Sequence, residues 1–262
     1  AASLLLVIGC ASTANQRGDV EQEIYVFAAA SLTDAFQTVA DEFEAEHPAI
    51  DIKFNFAGSQ SLRTQIEQGA APQLFASANH DHMEALRASG HIARAQTFAF
   101  NQMVIVAPRD NPSGIADIGD LARAERVVLA GSEVPAGAYS ERVLARAGEQ
   151  RGDDFAERVL SRVVSREMHV RQALHKVVLG EADAAMVYAT DAASVGDKVQ
   201  IIAIPDELNV SASYPIALVG ADGSSQPGQP FLDFILSKEG QQKLQSFGFR
   251  PGSTALASAH NP

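Results

Sequence analysis

Apolar and polar positions along this chain switch repeatedly between a period of two and a period near 3.6. Ile50, Ile52, Phe54 and Phe56 alternate with polar neighbours, the pattern of a half-buried strand. Just before them, Leu32, Ala35, Phe36, Val39, Ala40 and Phe43 recur at helical spacing until Pro48. The same alternation predicts strands at Glu23–Ala28, Leu74–Ala76, Met103–Ala107, Val127–Ala130, Val163–Ser165, Ala184–Tyr188, Val199–Ile204 and Tyr214–Val219. Helices are predicted after Ser59, near His80–Ala88, Ala138–Ala147 and Val170–Leu179, and in two runs near Pro230–Leu236 and Gly240–Phe247. Repeated strand–helix units imply α/β architecture with a mainly parallel sheet flanked by helices, and ligands held beyond the carboxyl ends of its strands. The units fall into two series, so two lobes are expected: residues 22–103 with 216–262, and residues 104–215. Met103–Ala107 and Tyr214–Val219 are the expected crossings, and the ligand cleft lies between the lobes.

The points where strands hand over to helices are chemically alike. They are Phe27-Ala-Ala-Ala-Ser31-Leu32, Phe56-Ala-Gly-Ser59-Gln-Ser61-Leu62, Val134-Pro-Ala136-Gly137 and Met168-His-Val170-Arg. Met186-Val-Tyr188-Ala-Thr-Asp191 places a tyrosine in the same setting. A helix start leaves N–H groups unbonded and carries the positive end of the helix dipole. Several such starts converging would form an uncharged cage for an anion. Each residue also has a plainer reading. Ser31 and Ser59 suit an N-cap, Ala136 follows a turn proline, Val170 suits the core, and a core Tyr188 could bond backbone.

Composition narrows the choices. The chain has 262 residues, 46% of them hydrophobic, with 20 Lys and Arg against 32 Asp and Glu and a formal charge of −12. No basic stripe is present, which argues against nucleic acid, and bulk charge would repel an anion rather than attract one. The sequence holds no nucleophile elbow, phosphate loop, His-Glu-x-x-His or glycine-rich dinucleotide turn, so a hydrolase is the weaker alternative. His80 and His82 stand two apart on a predicted helix and point away from each other, which disfavours a metal site. Leu4–Gly9 is an apolar run too short to span a bilayer and ends at Cys10, the sole cysteine. It resembles the end of a bacterial lipoprotein signal, with Cys10 lipidated and residues 11–21 a tether. An ordinary signal-peptide core is the rival reading.

Taken in order, the five turn motifs resemble those of the bacterial molybdate-binding proteins of ABC transporters, a periplasmic-binding-protein-like family, from about Ile24 to Phe249. The resemblance implies a two-lobed extracytoplasmic binding protein that captures molybdate or tungstate. It implies hydroxyl donors at Ser31, Ser59 and Tyr188, and backbone N–H donors at Ala136 and Val170. Molybdenum would be held as its oxyanion, with no protein atom on the metal and no cofactor. The implied partner is a membrane permease, and the expected state is a monomer, on the periplasmic or extracellular face of the membrane, tethered through Cys10. Two departures stand out: Gly58 where the family commonly has serine, and His169 where it commonly has an acid. Another oxyanion such as sulfate remains an alternative ligand.

Overall fold

The computed structural model describes residues 21–220 and 226–252. The chain begins with β1 (Gln22–Ala29), a single 3-10 turn (Ala30–Leu32), α1 (Thr33–Glu46), β2 (Ile50–Ala57), α2 (Ser59–Glu67), β3 (Leu74–Ala76) and α3 (His80–Ala88). A long strand, β4 (Gln96–Pro108), then leads to β5 (Val127–Ala130), α4 (Pro135–Arg151), α5 (Phe155–Leu160), β6 (Val163–Glu167) and α6 (Val170–Val178). Next come β7 (Ala184–Tyr188), α7 (Ala189–Ser194), β8 (Val199–Ala203), β9 (Ser211–Leu218), α8 (Gln229–Leu236), α9 (Lys238–Ser246) and β10 (Arg250–Pro251).

The strands that feed helices run parallel: β2, β1 and β3 in the first lobe, and β6, β5 and β7 in the second. Antiparallel strands join the two halves. β4 is the main crossing. Gln96–Gln102 pairs with β9 in the first sheet, whereas Met103–Val106 pairs with β7 and Val104–Pro108 with β8 in the second. The sequence pattern predicts only the second half of this strand. Its first half reads less clearly because Gln96, Phe100 and Gln102 break the alternation with the buried Phe98 and Ala99. The return crossing also differs from expectation. Ser211–Pro215 pairs with β4 of the first sheet, so the chain crosses back at 204–210 rather than at Tyr214–Val219. α5 lies in a stretch whose polar start, Gln150–Asp154, reads as loop; Phe155 and Val159 are its buried anchors, with Ala156 and Leu160 packed beside them.

Packing follows the helical stripe read from the sequence. Ala35, Phe36, Val39, Ala40 and Phe43 of α1 are buried. Phe36 packs on Phe54 and Phe98, and Phe43 meets Phe231 and Phe234 of α8 edge-on. Each such ring removed from water contributes roughly 1.5–3 kcal/mol. The Phe43 contacts return the C-terminal helices to the first lobe, and a Lys243–Glu42 ion pair adds a peripheral tie. These cores hold the helix starts at fixed places along the carboxyl edges of both sheets.

Candidate functional site

Four helical starts and one strand end meet between the lobes around a small pocket with a cavity volume of about 10 Å³. Ser31, Ser59, Ala136, Val170 and Tyr188 all line it, so the structure brings together every ligand-contacting residue expected from the sequence. The expected lipidation residue, Cys10, lies outside the described residues. Ala29, Ala30, Ala57, Gly58, Ala78, Val134, Pro135 and His169 complete the wall. No Asp, Glu, Lys or Arg contributes to it among the described residues.

Each donor is presented for a local reason. Ser59 opens α2, and its Oγ accepts the Ala78 N–H at 3.1 Å. That bond occupies a lone pair and leaves the Ser59 hydroxyl hydrogen to donate elsewhere. The plain N-cap reading does not hold for Ser59: Gly58 takes the cap position, and no side chain caps α2. Ser31 sits in the 3-10 turn after β1, with its Oγ 3.1 Å from the Tyr214 hydroxyl. Ala136 is the second residue of α4, behind Pro135, whose missing N–H is no loss in a first turn. Gly137 follows because a Cβ there would overlap the carbonyl oxygens of Gly131 and Ala130. Val170 begins α6, and His169 occupies its cap position without capping it. The N–H groups of Ser59, Ala136 and Val170 have no backbone acceptor among the described residues, as first-turn geometry requires.

Tyr188 is the least satisfied of the set. It is 1% exposed, packed edge-on against Tyr139 and Tyr214, and its hydroxyl has no partner among the described residues. A buried unpaired hydroxyl costs roughly 1–3 kcal/mol, so a ligand acceptor there would relieve it. Burial pushes the Tyr188 and Tyr214 hydroxyls well above the usual tyrosine range, so both keep the hydrogen they donate. His169 is held below the ordinary histidine range by burial first, then by His175 and Arg171. The cavity is therefore a set of neutral dipoles.

Charge is present one layer back. Arg171, next to Val170, bonds Asp191 of α7 through Nε and Asp34 of α1 through Nη2 at 2.6 Å. The guanidinium is thus spent on two carboxylates, and it ties the lobes together. Other ties cross the same gap: Gln60 Nε2 donates to the Met168 carbonyl at 2.8 Å, and His82 Nε2 donates to the Glu133 carbonyl at 2.9 Å. The lobes are closed over the cavity. Nothing local in the sequence marks Tyr214, Gln60, His82 and Arg171 as ties between distant elements. Their roles come from contacts 51 to 183 residues apart in the chain.

Two α/β lobes joined by crossing strands, closed on a cavity of helix starts, make a solute-binding protein of the two-lobed class. Residues 24–250 match the family of bacterial extracellular solute-binding proteins, and the chain belongs to it. Among its relatives, the molybdate-binding protein ModA of Mycobacterium tuberculosis is 36% identical over 230 residues, covering 87% of this chain and 84% of that one. A putative ABC transporter substrate-binding lipoprotein of Bacillus subtilis, YvgL, is 32% identical over 256 residues, with 94% of each chain covered. The solved substrate-binding domain of a putative molybdenum ABC transporter from Clostridium difficile superposes with a TM-score of 0.65 at 25% identity. That match covers 88% of this chain and 99% of that domain.

Proposed function

We propose that this protein captures molybdate or tungstate between its lobes and presents it to an ABC permease. The carrying observation is one pocket between the lobes, with no charged side chain among its described lining, that gathers unspent hydrogen-bond donors from both lobes. A tetrahedral oxyanion without hydrogens offers only acceptors, and every assigned group here donates. Hydrogen bonds to a charged partner contribute roughly 1.5–3 kcal/mol each net. Five of them can offset the loss of hydration and leave about −8 to −12 kcal/mol, or micromolar to nanomolar affinity. Hydrogen phosphate fits poorly, because its own O–H would find no carboxylate acceptor in the wall.

The names of the ModA relative and of the Clostridium structure support molybdenum oxyanion as the ligand class, and the YvgL relative supports the ABC partner and the lipid tether. Binding rather than catalysis is the proposed activity. No described helix is long and apolar enough to cross a membrane, and attachment through Cys10 is part of the same proposal. Calorimetric titration with molybdate, tungstate, sulfate and phosphate in parallel tests the reading. Tight binding of the first two, with sulfate and phosphate at least a hundredfold weaker, is expected. Preference for sulfate would move the protein to the alternative ligand, and no oxyanion binding would end the proposal.

A further inference from the structure

One wall group remains without a task. His169 lines the cavity and stands at the head of α6, yet its side chain makes no cap bond with that helix. Its Nδ1 is buried and has no partner among the described residues. A neutral imidazole carries its hydrogen on either ring nitrogen, and the nitrogen's partner decides which. With no partner for Nδ1 among the described residues, an anion in the pocket that His169 lines is a partner within the same wall. We infer that His169 is a sixth, side-chain donor to the oxyanion, acting as a neutral imidazole with its hydrogen on Nδ1. This rests on the oxyanion reading of the cavity and deepens it.

The surroundings favour this role over a charged one. Burial first, then His175 and Arg171 on α6, disfavour a charged imidazole, and Glu167 on β6 opposes them less. The His169 side chain thus adds directional donation without altering the neutral character of the wall. Because it comes from the second lobe, it also adds a contact that forms only when that lobe reaches the ligand.

Substitutions separate the two ring nitrogens. The amide nitrogen of asparagine falls near the Nδ1 position, whereas that of glutamine falls near Nε2. His169→Asn should hold molybdate affinity within about threefold, while His169→Gln and His169→Ala should lose about tenfold, the value of one hydrogen bond to an anion. Nitrogen-15 spectra of the full wild-type chain supply a readout independent of affinity. Addition of molybdate should move the His169 Nδ1 signal to the protonated position, leaving Nε2 unprotonated. Unchanged affinity in His169→Ala, or an Nδ1 signal indifferent to molybdate while wild-type protein binds it tightly, would overturn this inference and leave the cavity reading intact. Wild-type protein that binds no oxyanion would overturn both.

Discussion

At the scale of single residues, the site works by leaving donors unfinished. Ser59 accepts the Ala78 N–H and keeps its hydroxyl hydrogen free to donate, and Tyr188 has no partner among the described residues. Stability and affinity therefore respond oppositely to removal of the Tyr188 hydroxyl. Tyr188→Phe should leave the ligand-free melting temperature unchanged or raise it, since a buried unsatisfied group is removed, while molybdate affinity falls about tenfold. Paired thermal melts and titrations check this, and a drop in both would mean that the hydroxyl is a structural donor. Asp191 makes a second case. It is wholly buried, and desolvation raises it to about 6 despite the neighbouring Arg171. A carboxyl raised above its unfolded value lends stability that is complete below about pH 4 and is lost as pH climbs through about 6. Denaturant unfolding from pH 4 to 7 should show that decline, and Asp191→Asn should flatten it.

Among the elements, the helix starts were legible because their signal is local. A small or hydroxyl residue after an apolar strand, followed by a helical stripe, needs no distant partner to be recognised. The turns holding Ser31, Ser59, Ala136, Val170 and Tyr188 were readable in this way, and the family resemblance picked out the donor within each. What a start packs against was not. Gly58 appears in the sequence as a missing serine, yet in the fold a Cβ there would overlap the Met168 carbonyl oxygen of the opposite lobe and the Gln60 amide. The Met168 clash exists only when the lobes are together, whereas the Gln60 side chain belongs to the same lobe and can swing aside. Gly58→Ala should therefore weaken molybdate binding tenfold or more with little change in the ligand-free melting temperature. Equal binding by the variant in titration would show that the two backbones need not approach so closely. The first half of β4 was hidden for a related reason, since its partner β9 lies more than a hundred residues away in sequence and crosses back from the other lobe.

For the whole molecule, the bonds between lobes define the functional state. Gln60 to Met168, His82 to Glu133, and Arg171 to Asp34 all span the cleft, alongside the cavity walls. None of these pairs could be foreseen, because each joins groups whose neighbourhood is set only by the crossing strands. They also indicate what the ligand must do. An anion bonded to donors on both lobes favours the closed arrangement over any arrangement that separates them. Small-angle scattering should show a smaller radius of gyration with molybdate than without it, and an unchanged radius would remove hinge closure from the mechanism.

The most direct test of the central claim is an anomalous-scattering map from crystals grown with tungstate. Neutral dipoles alone should hold the dianion: one strong peak is expected between Ser31, Ser59, Ala136, Val170 and Tyr188, with no lysine or arginine nitrogen in contact with its oxygens. A peak elsewhere, or one paired directly with a cationic side chain, would contradict it.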